Sequence, residues 1–570
     1  MQFKRKKQAR SVCPKINKED NRKHHWLTWI FPIGGGLALI WFLIRVIPKP
    51  SRAMYPCQRV AFPLASGFVV WLTGAIGSIA AFRKAKRCFA QSRYVLCVIL
   101  IAVSVGSIWI AQSITTEEVV LADEPVANAP IGIAKGVHPG RVVWVHDPDA
   151  TDWDGPGNGY WWESSHTNQA VVDQMMSRAI RELGGEITDA GAWDSLFSYF
   201  NETHGKGDTG YKSGEKIVIK VNFVGCIAVW SRRPVTNIED YNLRSMDYMH
   251  ASPQMIIALL GQLVNEVGVN EEDITVGDTL CYFPNEFYNM CHENFPNVRY
   301  LDYLGKFGRT QAKLSSVPFY WSTPEAADKT TDYAPASYVE ADYLINLANL
   351  KSHNDQAGIT LCAKNHYGSL VRKPARIEGY YDMHKDLPYT TPGMGRYRPL
   401  VDLMGHKQLG GKTLLYLIDG LYAGKHAKER APRKWNNPPF NADWSSSLFA
   451  SQDPVAIDSV GFDFLWAEWD DAPHRSGTSD YLVEAALAND PPSGTFYDPD
   501  HKGNVVRLSS LGVYEHWNNP ADKQYSRNLG TGKGIELIKL SVAANVTATS
   551  IDSTRKKNKE ICLVAGISEN

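Results

Sequence analysis

The chain has 570 residues, of which 44% are hydrophobic, so it is long enough for a large core and more than one domain. Its formal charge is zero, but residues 1–113 hold 18 lysines and arginines and only two acids, Glu19 and Asp20. A segment of net charge +16 therefore precedes a body of net charge −16. The body lacks the basic excess that binding to phosphate backbones needs, which excludes nucleic acid as its partner on charge grounds.

Three apolar segments near the N-terminus predict transmembrane helices. They span residues 26–47, 60–82 and 94–112, and only the first contains a charged side chain, Arg45 near its end. Each segment is close to the ~20 residues that a helix needs to cross a bilayer. We therefore expect residues 26–113 to form a membrane region with three helices, in a multi-pass protein of the cell membrane.

The basic residues that flank these segments predict their orientation. The tail 1–25 holds nine lysines and arginines, the loop 83–93 holds five, and the loop 48–59 holds three. Because positive charge is enriched on the cytoplasmic side of membranes, the tail and the 83–93 loop are predicted to be cytoplasmic. Three crossings then place the main domain outside the cytoplasm, in the periplasm or at the cell surface.

Strand-like and helix-like segments alternate through the body. Residues 114–140 contain proline and glycine without helical periodicity, which predicts a linker, and residues 546–570 are assigned to a C-terminal tail. The alternation between them predicts an α/β domain over residues 141–545, with a mainly parallel sheet flanked by helices. The predicted strands include 215–225, 273–278, 342–347 and 412–419, and the predicted helices include 166–183, 252–268 and 453–469.

Four of the predicted strands end in polar side chains, which are Lys220 with Asn222, Asp278, Lys351 with His353, and Asp419. Ligands of open parallel sheets bind outside the carboxyl ends of the strands, so we expect these side chains to line one crevice. Lys364 and Asn365 follow in the same lysine-rich stretch and are expected there too. Such a crevice fits a small anionic molecule that bears phosphate or carboxylate. The alternative is that the lysines form salt bridges with the acidic body at unrelated turns.

The residue types predict a division of roles. The candidate catalytic residues are His353, as acid or base, with Lys351 and Lys364. The candidate substrate-binding residues are Lys220, Asn222, Asp278, Asn365 and Asp419. His353, Asp355 and His366 have the ligand types of a divalent metal but match no tight metal motif, so the cofactor stays open. Because buried, unpaired lysines are costly, we expect the site to be open to water or to hold an anion, and alanine at Lys351 or Lys364 to leave folding nearly intact.

Four short motifs occur in order: IKVN at 219–222, LKSH at 350–353, AKNHYG at 363–368 and DPVAID at 453–458. With them, the segment 141–545 resembles the family called domain of unknown function 362. The resemblance implies no defined activity, although some members join this domain to ferredoxin-type iron–sulfur modules. This chain departs from those members, because its nine cysteines include no C-x₂-C pair and so no iron–sulfur motif.

Two functions from different classes remain open. The first is a membrane-anchored enzyme that acts on an anionic small molecule. The second is a noncatalytic ligand-binding or assembly subunit of a membrane complex, redox-associated by analogy with the iron–sulfur members. The fold cannot choose between them, because function depends on the site. A disulfide between Cys281 and Cys291 is a further open question, since it would need an oxidising compartment.

Overall fold

A ten-stranded mixed sheet forms the centre of the C-terminal unit. The chain divides into two units, Met1–Leu121 and Ala122–Asn570. The structure, a computed structural model, describes residues 129–542 except 229–234, 247, 354–356, 373–378, 427–430 and 502–506, together with separate helical positions between 36 and 99.

The strands and helices of the C-terminal unit alternate for much of its length. The strands are β1 Ile131–Gly132, β2 Arg141–His146, β3 Ile217–Val221, β4 Ile274–Gly277, β5 Arg299–Asp302, β6 Thr310–Gln311, β7 Leu314–Phe319, β8 Asp332–Pro335, β9 Tyr343–His353, β10 Gly358–Thr360, β11 Thr413–Gly424, β12 Ser447–Ser451, β13 Val513–Tyr514 and β14 Glu536–Leu540. The α-helices are α1 Gln169–Gly184, α2 Asp189–Thr203, α3 Pro253–Gly261, α4 Asn285–Asn294, α5 Ala336–Glu340, α6 Cys362–Asn365, α7 Pro399–Gly405, α8 Pro454–Glu468 and α9 Asp480–Ala486.

Local sequence signals explain where the helices begin. Ser252 caps α3 by accepting a hydrogen bond from the backbone N–H of Met255 at 3.2 Å, and a proline occupies the first helical position. Asp453 caps α8 in the same way, again before a proline. The apolar stripe of α1 is buried, as its spacing predicts.

The sheet has the strand order β14-β2-β12-β11-β9-β3-β4-β5-β6, and β10 pairs with β9. β11, β9, β3, β4, β5 and β6 run parallel, whereas β12 runs antiparallel to both β11 and β2. The α/β class is therefore confirmed, with a mixed sheet that is parallel around the candidate site.

Helices cover both faces of the sheet. One hydrophobic core contains side chains of α1 to α4, and the other contains side chains of α5 to α9. Sheet residues alternate between the two cores, with Ile345 and Leu347 of β9 in the first and Leu344 and Ala348 in the second.

The strand order reverses between β3 and β9. From β3 the chain adds β4, β5 and β6 on one side, then returns to place β9 and later β11 on the other side. β3 ends opposite Leu347, so β9 extends beyond it. This reversal is the position at which doubly wound sheets open a crevice for ligands.

Two sequence boundaries differ from the structure. The predicted linker 114–140 extends too far, because Ile131–Gly132 pair with Val513–Tyr514 as part of the folded unit. The predicted strand 342–347 is too short, since β9 continues to His353. Its polar end stays extended because β10 and β11 pair with it.

The predicted membrane region lies mostly outside the described residues, as does the predicted tail 546–570. In the N-terminal unit the structure describes helix at residues 79–90. Among the residues that the structure describes, no helix combines the length and the apolar character needed to cross a membrane.

Candidate functional site

The polar stretch 351–370 folds back over the sheet as a hairpin and a short helix. β9 continues to His353 and pairs antiparallel with β10. The cover segment, residues 357–370, then runs past the carboxyl ends of β3 and β4. There the carbonyl of Gly368 accepts a hydrogen bond from the N–H of Thr279 at 3.1 Å. The described residues 357–370 therefore cover the strand ends and are not a solvated loop.

A carboxylate from a distant helix holds the start of α6. The two oxygens of Asp458 accept hydrogen bonds from the N–H groups of Cys362 at 2.8 Å and Ala363 at 3.0 Å, and the hydroxyl of Tyr481 donates a third at 2.9 Å. Burial raises the pKa of Asp458 to about 6. Two of the sequence motifs are thus in contact, since Asp458 of DPVAID holds the N–H of Ala363 in AKNHYG. The first residue of DPVAID, Asp453, caps α8.

Lys220 is a fully satisfied ammonium. Its side chain is buried and donates to three acceptors, the carboxylate of Asp278 at 2.8 Å, the amide oxygen of Asn365 at 3.0 Å and the carbonyl of Val221 at 2.5 Å. An ammonium has three N–H donors, and all of them are used. Lys220 and Asp278 therefore form a buried salt bridge that joins β3, β4 and the cover segment.

Lys351 is also buried, but it has only two hydrogen-bond acceptors among the residues that the structure describes. It donates to the side-chain oxygen of Asn222 at 2.8 Å and to the carbonyl of Met249 at 2.9 Å. Asn222 in turn donates to the amide oxygen of Asn365 at 3.2 Å, which links Lys351 to Lys220. Burial lowers the pKa of Lys351 to about 7, although the charge of Asp419 raises it. The two acceptors of Lys351 equal in number the two N–H groups that its side chain has when it is a neutral amine.

Lys364 has no hydrogen-bond acceptor among the described residues. Its ammonium lies 4.5 Å from the centre of the Tyr367 ring, and its side chain is 9% exposed. Burial lowers the pKa of Lys364 to about 8, and the positive charge of Lys220 lowers it further. The carboxylate of Asp382 acts on it only through its charge. Lys364 is thus the lysine of this cluster that a ligand can reach without breaking an internal bond.

The predicted group largely converges, but it is more buried than the sequence implied. Hydrogen bonds connect Lys220, Asn222, Asp278, Lys351 and Asn365 at the ends of β3, β4 and β9. The expectation of an open rim is wrong for Lys351, because its side chain is buried and bonded within the protein. Alanine at this position would remove two buried hydrogen bonds, so these contacts predict a loss of stability in place of the near-intact folding expected from the sequence.

Two predicted substrate-binding residues, Asp419 and Asn365, form hydrogen bonds within the protein. Asp419 accepts from the N–H groups of Ser252 at 2.6 Å and Leu421 at 3.0 Å. Asn365 donates to the side-chain oxygen of Asn346 at 2.8 Å, while its own oxygen accepts from Lys220. Both side chains are buried, so they position the strand ends and leave no group for a ligand.

The histidines of the stretch lie in different surroundings. His353 ends β9 and is 7% exposed. His366 is completely buried, with Nδ1 at 3.3 Å from the hydroxyl of Ser369. Burial lowers the pKa of His366 to about 3, and the charges of Lys220 and His406 add to this effect. His366 is therefore neutral at ordinary pH.

The structure also bears on the candidate metal ligands and on the candidate disulfide. Asp355 lies outside the described residues. Within the described part of the chain, no group of three or more His, Cys, Asp and Glu side chains is arranged to hold a metal ion. Cys281 and Cys291 are both buried free thiols.

A histidine–aspartate pair beside Lys364 was missed by the sequence reasoning. The Tyr367 ring lies edge to face with the His384 ring, at 5.2 Å between centroids and 73° between planes. His384 Nδ1 is 2.9 Å from the carboxylate of Asp382. The D-x-H spacing in "YYDMHKD" is the signal that could have found it, but this segment follows no predicted strand.

The fold and the strand-end lysines define an α/β protein with a cationic cluster at its switch point. Residues 240–463 match the family model described as Domain of unknown function (DUF362), so this part of the chain is similar to that family. The match confirms the resemblance over a shorter range than the predicted 141–545. It includes the motifs LKSH, AKNHYG and DPVAID, and IKVN precedes it. No curated protein and no solved structure was found to match the chain.

Proposed function

We propose that the α/β domain binds an anionic small molecule at Lys364 and acts on it as an enzyme. The observation that carries this proposal is the buried ammonium of Lys364, which has no hydrogen-bond acceptor in the described part of the chain. Burying an ammonium without a partner is costly, and a phosphate or carboxylate oxygen would supply the missing acceptor.

The charges of the cluster support the same proposal. Lys220 is neutralised by Asp278. Asp419 and Asp382 act on Lys351 and Lys364 through their charge, and both already accept hydrogen bonds from other groups. Within the described residues no carboxylate accepts a hydrogen bond from Lys364, which favours an anionic ligand over a neutral or cationic one at this side chain.

Replacing Lys364 by methionine tests the proposal. We expect the binding of inorganic phosphate or acetate, measured by isothermal titration calorimetry on the full-length chain, to weaken by roughly tenfold or more, because one charged hydrogen bond is lost. Stability should fall little or rise, since methionine fills the space of the lysine stem without a buried charge. Lys385→Met, at an exposed lysine of the neighbouring turn, is the matched control. Equal binding by wild type and Lys364→Met would contradict the proposal.

A noncatalytic ligand-binding or assembly subunit of a membrane complex is the second candidate. It is favoured by the internal use of Lys220, Asn365 and Asp419, whose hydrogen bonds hold the strand ends together. In that case the family motifs would maintain the shape of the domain, and Lys364 would hold a bound anion without turnover. A redox association stays an analogy, since the chain carries no iron–sulfur motif.

We also propose that the domain is anchored to a membrane and lies outside the cytoplasm. The three apolar segments and the basic residues around them support this proposal. A reporter that fluoresces only in the cytoplasm, fused after residue 570, is expected to stay dark in cells. The same reporter fused before residue 1 is the matched control and should fluoresce. A bright C-terminal fusion would reverse the predicted orientation.

A further inference from the structure

His384 stands beside Lys364 with one ring nitrogen fixed and the other available. Its Nδ1 is 2.9 Å from the carboxylate of Asp382, which also accepts a hydrogen bond from the backbone N–H of His384 at 3.1 Å. In the described part of the chain, Nε2 has no hydrogen-bond partner, and the His384 side chain is 17% exposed. A carboxylate that accepts from Nδ1–H leaves the lone pair of Nε2 free to take a proton.

The surroundings connect this pair to the anion site. The Tyr367 ring contacts both the ammonium of Lys364 and the ring of His384. The charge of Lys364 is also close enough to lower the pKa of His384. Lys364 and His384 therefore share Tyr367 as a common neighbour.

We propose that His384 is the general base of this site and that the reaction is the hydrolysis of a phosphate monoester, an inference that rests on the proposed function. Lysine binds phosphate as a point charge, and a phosphate group offers the Lys364 ammonium more strong acceptor oxygens than a carboxylate does. The only co-reactant is water.

The step balances without an oxidant or a reductant. His384 Nε2 takes a proton from water as the water oxygen forms a bond to phosphorus. The bond between phosphorus and the ester oxygen breaks, and the leaving oxygen keeps its electron pair. That oxygen then receives the proton from His384, which yields an alcohol and inorganic phosphate. Asp382 is a positioning residue, since it stabilises the imidazolium and fixes the ring.

The protonation state at neutral pH fits a base. Burial lowers the pKa of His384, and the charges of Lys364 and Arg372 add to this effect, while Asp382 raises it. The hydrogen bond from His384 lowers the pKa of Asp382 to about 2, so its carboxylate is ionised. A neutral imidazole and an ionised carboxylate are the states that proton abstraction needs.

The experiment uses the full-length chain with p-nitrophenyl phosphate as substrate and inorganic phosphate as ligand. We expect His384→Asn to lower kcat by roughly 10²–10⁴-fold while phosphate binding changes less than about twofold. Asp382→Asn should lower kcat and move the acidic limb of its pH profile to lower pH, because the charge that raises the pKa of His384 is lost. His501→Asn, at an exposed histidine, is the control and should match wild type.

The outcomes separate the two proposals. Failure of wild type to bind phosphate, or binding that Lys364→Met leaves unchanged, would overturn the proposed anion site. Two results would overturn only the role of His384, provided that phosphate binding depends on Lys364. The first is that wild type hydrolyses no substrate, and the second is that hydrolysis survives His384→Asn.

Discussion

Replacing Lys220 by methionine is expected to destabilise the α/β unit by roughly 3–5 kcal/mol, because it leaves Asp278 as an uncompensated buried charge. The same change removes the donor to Val221 and Asn365, so the cover segment loses a contact with β3. Urea unfolding followed by tryptophan fluorescence measures the change.

A second variant isolates the salt bridge from the loss of packing. Lys220→Met combined with Asp278→Asn should recover part of the lost stability, since asparagine is neutral and can still accept from the N–H of Leu280. Lys212→Met, at an exposed position, should stay close to wild type. A loss below about 1 kcal/mol for Lys220→Met would show that the pair is not buried as described.

The stability of the unit is expected to rise with pH between about 7 and 10 through Lys351. Burial lowers the pKa of this lysine to about 7 in the folded protein from its ordinary value of 10.5. Between these values the unfolded chain binds more protons, so the contribution of Lys351 to the free energy of unfolding increases with pH. Below pH 7 both states are protonated, and the full cost of burying the ammonium remains.

Comparison with Lys351→Met isolates this contribution, because the titration of other groups largely cancels in the difference. From pH 7 to pH 9.5, wild type should gain on the order of 3 kcal/mol relative to the variant in urea unfolding. The lost hydrogen bonds to Asn222 and Met249 contribute an offset that changes little with pH. A difference that stays constant over this range would show that Lys351 remains protonated in the folded state.

The sequence predicted the architecture well because local patterns, such as helix caps and apolar periodicity, determine where the helices and strands form. The cap Ser252 with its following proline and the apolar stripe of α1 have a direct counterpart in the structure. The end of β9 was missed because residues 349–353 are mostly polar, and strand patterns assume that such residues face water. Pairing with β10 and β11 and internal hydrogen bonds keep them buried, and β11 and the hydrogen-bond partners of Lys351 are distant in sequence.

The site was predicted in position but not in chemistry. The carboxyl ends of parallel strands meet at one edge of the sheet, so the sequence could predict that Lys220 and Lys351 converge there. The sequence could not show which lysine already has hydrogen-bond acceptors within the protein. The acceptors Asn222 and Met249 lie 129 and 102 residues from Lys351. His384 was missed for a related reason, because it lies in a short 3₁₀ helix, Met383–Asp386, that does not directly follow a strand of the sheet.

The anchoring of α6 by Asp458 also orders events during synthesis of the chain. The two backbone groups that Asp458 holds lie 96 and 95 residues earlier, at Cys362 and Ala363. Lys364 therefore leaves the ribosome long before the helix that positions it, and the start of α6 lacks this anchor until α8 follows. A chain released before residue 453 would contain all three lysines of the cluster and still lack the carboxylate that holds the start of α6.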